Sequence, residues 1–183
     1  MRRELFISRE RILARVKDLA REISSDYRGK EPVLIGILNG VVFFFSDLVM
    51  AMTIPSKIDF IRAASYGSGM ESSGEIRVTK DVEIPVKEEP VILIEDIVDT
   101  GLTLKHIVKR IEGRGPESIR ICALIDKLER RDEEITIDYC GFQVPEGFLV
   151  GYGLDHDEKY RYLPDIYVMR ADEDFRQEGH DDH

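Results

Sequence analysis

Val91-Ile-Leu-Ile-Glu-Asp-Ile-Val-Asp-Thr-Gly-Leu-Thr103 is the stretch that decides the fold of this 183-residue chain. Its first residues, Val91 to Glu95, are mostly apolar and predict a buried strand. Two more acids, Asp96 and Asp99, lead into the turn Thr100-Gly101, after which apolar residues recur at helical spacing. The stretch therefore predicts a strand, an acidic turn and the start of a helix.

The acidic turn favours the binding of a phosphorylated sugar. The N–H groups at a helix start and the positive end of the helix dipole attract phosphate, and carboxylates bind sugar hydroxyls or a divalent metal ion. The structural alternative is a helix cap formed by Asp99 or Thr100. Capping explains one acid or hydroxyl but not Glu95, Asp96 and Asp99 together. Neighbouring like charges raise one another's pKa and are costly without a cation or a ligand.

Strands and helices predicted elsewhere in the chain indicate an α/β fold with a mainly parallel sheet flanked by helices. Ser8 is suited to cap a helix over residues 9–25, and the apolar run Val33–Leu38 is typical of a central strand buried on both faces. We expect a further helix at residues 41–52 and strands at residues 57–64, 75–80, 118–125, 135–139 and 148–152. Ligands of such sheets bind outside the carboxyl ends of the strands, where Asn39-Gly40, the acidic turn and Lys127 fall. These segments should therefore share one site.

Length, charge and composition narrow the class of protein. The chain length suits one domain over residues 1–183, with an acidic tail from about residue 171 that we expect to be disordered. A net charge of −10 argues against nucleic-acid and membrane partners. No apolar run approaches the ~18 residues of a membrane span, and the N-terminus lacks the apolar core of a secretory signal. The cysteines, Cys122 and Cys140, lack metal-ligand spacing, so we expect a cytoplasmic protein.

The stretch Val91 to Thr103 resembles the 5-phosphoribosyl 1-pyrophosphate signature of the type I phosphoribosyltransferases. Its Glu-Asp-Ile-Val-Asp-Thr-Gly form most resembles that of the hypoxanthine-guanine phosphoribosyltransferases. Over residues 33–168, further segments follow in the family's order: the pyrophosphate loop at Leu38-Asn-Gly40, the lid tip at Ser65-Tyr66, the purine-contacting lysine in Asp126-Lys127, and a base-stacking and pyrophosphate segment at Phe148–Asp155 with Tyr160-Arg161. The resemblance implies a small hood and a flexible lid loop beside the parallel sheet.

What the resemblance implies is a purine-salvage enzyme. It would use Mg2+ to transfer a phosphoribosyl group from 5-phosphoribosyl 1-pyrophosphate to hypoxanthine or guanine, giving IMP or GMP and pyrophosphate. Xanthine and, less readily, uracil are alternative bases, and an RNA-binding regulator of the same fold is an alternative without catalysis. The net charge of −10 argues against that regulator, which should present a basic face. Homodimers or homotetramers are usual in the family, and residues 41–52 are where we expect subunit contact.

The resemblance also implies roles for the acidic stretch. Glu95 and Asp96 would hold the ribose hydroxyls, directly or through Mg2+. The 5′-phosphate would be cradled by Asp99, Thr100, Gly101, Leu102 and Thr103. Asp99 would also accept the proton that leaves ring nitrogen 7 of the purine, a general-base role typically worth ~10²–10⁴-fold in rate.

Five residues after the acidic stretch complete the implied site. Lys127, otherwise read as a surface lysine, would donate to the purine 6-oxo group and select against adenine. Phe148 would stack on the purine, and the backbone of Leu149 would contact the purine edge. Asp155, beside the purine, would hold a second Mg2+ through water, and Arg161 would neutralise the departing pyrophosphate.

The pyrophosphate segments carry one departure from the family. Residues 65–74 are rich in Gly and Ser and predict a lid whose Ser65 and Tyr66 bind pyrophosphate, an ordinary hairpin loop being the alternative. Asn39 stands where the family usually has Lys or Arg. We expect the loop to bind through backbone N–H groups exposed by a cis peptide at Asn39 or Gly40. Arg131 is either a phosphate-proximal arginine or part of a solvated charge run.

Overall fold

The computed structural model describes residues 2–65, 76–129 and 135–170. Its helices are α1 (Arg9–Asp26), α2 (Val42–Ala51) and α3 (Leu102–Glu112). Its strands are β1 (Arg2–Ile7), β2 (Val33–Ile37), β3 (Lys57–Ser65), β4 (Ile76–Lys80), β5 (Pro90–Val98), β6 (Ser118–Lys127), β7 (Tyr139–Val144), β8 (Phe148–Val150) and β9 (Ile166–Arg170). No helix among these described residues is long and apolar enough to cross a membrane.

The main sheet has six strands in the order β4-β3-β2-β5-β6-β7, all parallel to their neighbours except β4. All five residues of β2 are buried, as expected for a strand covered on both faces. Leu34 belongs to the apolar cluster that contains α1 and α2 residues, whereas its neighbours Val33 and Ile35 belong to the cluster that contains α3 residues. The predicted mainly parallel sheet flanked by helices is confirmed.

A second, antiparallel sheet in the order β1-β9-β8 forms the small hood. Its strand β8 covers the start of the predicted strand at residues 148–152, but β1 and β9 were not predicted. Five of the six β1 residues are exposed, so the segment lacks the alternation that marks a half-buried strand. Its partner β9 also lies at the other end of the described chain, beyond the reach of local sequence patterns.

Two boundaries differ from the sequence predictions. The strand expected at residues 135–139 is wrong, since β7 begins only at Tyr139. The Asp138 carboxylate accepts a hydrogen bond from the Ile121 N–H at 2.8 Å, and regular pairing with β6 starts one residue later. Strand β5 runs on to Val98, beyond the predicted end at Glu95, so Asp96 also lies within the strand.

The predicted helix start at Ser8 is confirmed, because the Ser8 hydroxyl accepts a hydrogen bond from the N–H of Arg11. Three other predictions fall outside the described residues: the lid beyond Ser65, the role of Arg131, and the acidic tail from residue 171.

Candidate active site

A cavity of about 230 Å³ lies at the carboxyl ends of the central strands. Its lining comes from β2, β3, β5 and the start of α3: Ile37, Leu38, Ala63, Glu95, Ile97, Val98, Asp99, Thr100, Gly101, Thr103 and Leu104. The structure therefore brings the acidic stretch and the residue before Asn39 into one site, as their positions at strand ends indicated.

The turn into α3 is open to an anion. Gly101 adopts φ 86°, a left-handed conformation that glycine reaches without a steric penalty, and it offers no side-chain cap to the helix. The first turn of α3 contains no acidic residue. The Thr100 hydroxyl accepts the Leu102 N–H at 3.3 Å, so Thr100 performs part of the capping role while Asp99 does not. No acidic side chain of the first turn therefore neutralises the positive end of the helix.

Glu95 and Asp96 form an acidic pair beneath this turn. Burial raises the pKa of Glu95 well above its usual value, and the neighbouring Asp96 charge raises it further. Burial also raises the pKa of Asp96, although hydrogen bonds from Glu95 and from the Ile97 N–H and the charge of Arg161 act in the opposite direction. Within the described chain, no group of three His, Cys, Asp or Glu side chains forms a metal cage. The pair is costly unless a donor or cation approaches it.

Asp96 also contacts the loop that follows β2. A Cβ atom added at Gly40 would clash with the Asp96 carboxylate, and one added at Gly153 would clash with the Gly40 carbonyl. The peptide bond between Leu38 and Asn39 is cis, as predicted. The contact with Gly153 was not predicted, although the Gly-Tyr-Gly pattern around it signals unusual backbone geometry.

Lys127 lies at the end of β6 and is only 7% exposed, so the surface-lysine alternative is wrong. Its ammonium lies 3.8 Å from Asp99 Oδ1 and 3.2 Å from Glu129 Oε2. The buried Asp99 Oδ1 accepts no hydrogen bond from the part of the chain that the structure describes. Glu129 was not singled out from the sequence, where it stands in a run of charges. The ammonium of Lys127 thus lies close to an acceptor oxygen of Asp99, a residue that lines the cavity.

Phe148 and Leu149 lie outside the cavity at the start of β8. Phe148 is 46% exposed and meets His156 edge to face at a centroid distance of 5.0 Å, which leaves ring surface open. Leu149 has a buried side chain and pairs with Val168 of β9. Four residues before Phe148, Val144 is in register with Lys127.

Asp155 and Arg161 contact each other rather than the acidic pair. Arg161 Nη2 lies 2.9 Å from Asp155 Oδ1, and the other Asp155 oxygen accepts the Glu158 N–H at 2.8 Å. Arg161 Nη1 donates to the Gly153 carbonyl at 2.8 Å, which places the guanidinium next to the loop at Gly40. Ser65 ends β3, and Tyr66 lies outside the described residues.

This fold and this site define the class of type I phosphoribosyltransferases. The family described as "Phosphoribosyl transferase domain" matches residues 7–157. The chain is 42% identical to the hypoxanthine-guanine phosphoribosyltransferase of Aquifex aeolicus, over 91% of this chain and 94% of that relative. It is 38% identical to the hypoxanthine phosphoribosyltransferase of Salmonella typhimurium, over 88% and 92% of the two chains.

Solved structures agree with the sequence relatives. A crystal structure of a hypoxanthine-guanine phosphoribosyltransferase from Bacillus anthracis superposes with a TM-score of 0.86 at 40% identity, covering 91% of this chain and 98% of that chain. A hypoxanthine phosphoribosyltransferase from Staphylococcus aureus gives a TM-score of 0.87 at 40% identity, covering 91% of each. The chain belongs to the hypoxanthine-guanine phosphoribosyltransferase family.

Proposed function

We propose that this protein is a purine-salvage enzyme that transfers the phosphoribosyl group of 5-phosphoribosyl 1-pyrophosphate to hypoxanthine or guanine. The C1′ bond to pyrophosphate breaks, a bond from purine nitrogen 9 to C1′ forms, and the products are IMP or GMP and pyrophosphate. The observation that carries the proposal is the buried ammonium of Lys127, which lies 3.8 Å from Oδ1 of Asp99, a residue that lines the cavity together with Thr100 and Gly101. The names of the relatives support the same activity.

The start of α3 holds the 5′-phosphate in this proposal. Gly101 opens the turn, and the N–H groups of the first helical turn donate to the phosphate, together with the hydroxyls of Thr100 and Thr103. The absence of an acid from that first turn favours a dianion there. The amide of Leu102 completes the cradle with Asp99 at its edge.

Glu95 and Asp96 hold the ribose hydroxyls. Burial raises the pKa values of both acids, so hydroxyl donors or a cation would stabilise their ionised forms. Mg2+ fits such a pair, because it binds through one or two carboxylates, water and substrate phosphates rather than through a cage of side chains. When bound, Mg2+ would neutralise pyrophosphate charge. Asp155, which contacts Arg161 and the Glu158 N–H, would hold a second Mg2+ through water.

Asp99 and Lys127 act on the purine. The ammonium of Lys127 donates to the 6-oxo group, and adenine is rejected because its amino group presents a donor to a donor. Asp99 Oδ1, which has no donor among the described residues, accepts the proton from nitrogen 7 as the glycosidic bond forms. The exposed ring of Phe148 stacks on the base, and the backbone of Leu149 contacts its edge.

The departing pyrophosphate is bound by the loop Asn39-Gly40, by Arg161, and by Ser65 and Tyr66. Asn39 supplies no positive charge, so the loop binds through its N–H groups while Arg161, anchored on Gly153, supplies the charge.

We further propose a single-domain, cytoplasmic protein that forms a homodimer or homotetramer. One domain is supported by the shared apolar cluster that joins Ile7 and Ile166 of the hood to α1 and α2. Val42, Phe43 and Met50 leave apolar surface exposed on α2, where we expect subunit contact.

A pyrophosphate-release assay tests the activity. Purified protein with Mg2+ and 5-phosphoribosyl 1-pyrophosphate is given hypoxanthine, guanine, xanthine, adenine or uracil in separate reactions. Release with hypoxanthine or guanine and little with adenine or uracil is the expected result. Release with xanthine alone would mean that the substrate is xanthine rather than hypoxanthine or guanine. No release with any base would reject the proposal.

A further inference from the structure

The turn at Gly151 to Gly153 has an unusual backbone. All three residues have positive φ, 99° at Gly151, 51° at Tyr152 and 100° at Gly153. Glycine adopts such values freely, but a bulky residue such as tyrosine does so only when its surroundings impose them. The Tyr152 side chain is 1% exposed, so those surroundings are the packed interior.

The Tyr152 side chain contacts residues of two helices. Its hydroxyl donates to Asp47 Oδ2 of α2 at 2.7 Å, and the same carboxylate oxygen lies 3.1 Å from Arg9 Nη2 at the start of α1. The Arg9 guanidinium also lies 5.0 Å from the centroid of the Tyr152 ring. The orientation of Tyr152 is therefore set by Asp47 and Arg9. None of these three residues lines the cavity.

The backbone next to Tyr152 carries this orientation into the site. A Cβ atom at Gly153 would overlap the Gly40 carbonyl, and one at Gly40 would overlap the Asp96 carboxylate. The Gly153 carbonyl accepts a hydrogen bond from Arg161 Nη1 at 2.8 Å. The Gly153 N–H in turn donates to the Arg161 carbonyl at 3.0 Å. A shift at Tyr152 would move Gly153 and, with it, both the loop at Gly40 and the guanidinium of Arg161.

We propose that Tyr152, oriented by Asp47 and Arg9, is a positioning residue for the pyrophosphate loop and for Arg161. This inference rests on the function proposed above, which assigns pyrophosphate to that loop. Asn39 makes pyrophosphate binding depend more on Tyr152, because a loop that binds through N–H groups alone requires the directions of those groups to be fixed.

The chain offers a matched control in a second Arg–Asp–Tyr cluster. Tyr139, also buried, donates from its hydroxyl to Asp26 Oδ2 at 2.7 Å, and Arg120 Nη1 lies 2.8 Å from the same oxygen. The Arg120 guanidinium lies 5.9 Å from the Tyr139 ring centroid. This cluster joins β6 and β7 to the end of α1 and contacts no residue assigned to the site.

The test compares Tyr152→Phe with Tyr139→Phe, each of which removes one hydroxyl and keeps the ring. Pyrophosphate binding with Mg2+ is measured by calorimetry, and KM values for both substrates are measured by IMP formation. Tyr152→Phe should weaken pyrophosphate binding and raise the KM for 5-phosphoribosyl 1-pyrophosphate by about five- to tenfold. The KM for hypoxanthine should change less than about twofold. Tyr139→Phe should change none of these values by more than about twofold.

Asp47 provides a second route if Tyr152→Phe folds poorly. Asp47→Ala should reproduce the loss of pyrophosphate affinity, whereas Asp47→Asn, which keeps an acceptor for the tyrosine, should retain more of it. Unchanged pyrophosphate affinity in Tyr152→Phe and Asp47→Ala, or an equal loss in Tyr139→Phe, would overturn the inference. Because calorimetry needs no turnover, a wild-type protein that binds pyrophosphate but forms no IMP would reject the proposed function and leave this comparison decisive.

Discussion

Two regions of the main sheet bury acids in opposite ways. Asp59, near the start of β3, is 9% exposed and accepts hydrogen bonds from the N–H groups of Phe60, Glu83 and Ile84 and from the Lys80 ammonium. Burial alone would raise the pKa of Asp59, but these donors outweigh it and the pKa is lowered. At the end of β5, burial raises the pKa values of both Glu95 and Asp96 instead, and the charge of Asp96 raises that of Glu95 further.

The difference separates an acid whose ionised form the fold stabilises from acids whose ionised forms the fold disfavours. Four donors make the ionised form of Asp59 favourable, and they tie the segment after β4 to β3. The acids of β5 have fewer donors, the Ile97 N–H for Asp96 and the Asp96 N–H for Glu95, and Asp99 Oδ1 has no hydrogen bond among the described residues. A buried polar atom left without a partner is costly, and such atoms concentrate where a substrate supplies the missing partner.

The largest expected effect comes from Asp99→Asn. The amide cannot accept the purine proton, so kcat for IMP formation should fall by about 10²–10⁴-fold. The KM for 5-phosphoribosyl 1-pyrophosphate should change far less, and the free energy of unfolding by less than about 1 kcal/mol. Steady-state kinetics and urea unfolding measure both quantities. Equal kcat values for the variant and the wild type would remove Asp99 as the base.

Asp59→Asn should give the reverse pattern. Loss of the charge that four donors share should lower the free energy of unfolding by about 2 to 3 kcal/mol at pH 7, while kcat stays within about twofold. The lowered pKa means that this stability is present above the unfolded pKa of about 3.9 and is lost as the pH falls through the folded pKa. The difference between variant and wild type should therefore shrink below about pH 4. A difference in the free energy of unfolding between Asp59→Asn and the wild type that stays constant from pH 7 to pH 3 would contradict this role of Asp59.

The smallest expected effect is on the stability of Glu95→Gln. The raised pKa of Glu95 means that the wild type loses stability as the pH rises from the unfolded pKa of about 4.3 towards the folded value. Glutamine removes that cost, so the free energy of unfolding should rise by up to about 1 kcal/mol at pH 7 and be nearly unchanged at pH 4. Affinity for 5-phosphoribosyl 1-pyrophosphate should fall. A loss of stability in Glu95→Gln at pH 7 would mean that the ionised Glu95, like Asp59, stabilises the fold.

Much of the main sheet was predictable because its signals are local. The all-apolar β2, the Ser8 cap and the acidic turn before α3 each follow from a few consecutive residues. The family resemblance implied the hood, but its strands β1 and β9 were not predictable, because β1 is exposed and pairs with β9 across the whole described chain. The start of β7 depended on one hydrogen bond from Ile121 to Asp138, which no periodicity reveals.

The features of the site also fall into those that the sequence could predict and those that it could not. Residue types at strand ends, together with a family resemblance, predicted Lys127, the acids of β5 and the cis peptide at Asn39. They could not predict the contact of Gly153 with Gly40, or the two helices that hold Tyr152, because both depend on packing between distant segments.

In the proposed mechanism, the buried ammonium of Lys127 beside Asp99 selects a 6-oxopurine. The most direct measurement is the ratio of kcat/KM for hypoxanthine to that for adenine, in the wild type and in Lys127→Ala. Loss of a charged hydrogen bond to the oxo group should reduce this ratio by about 10- to 100-fold, mostly through slower reaction with hypoxanthine. An unchanged ratio in a folded variant would contradict the claim.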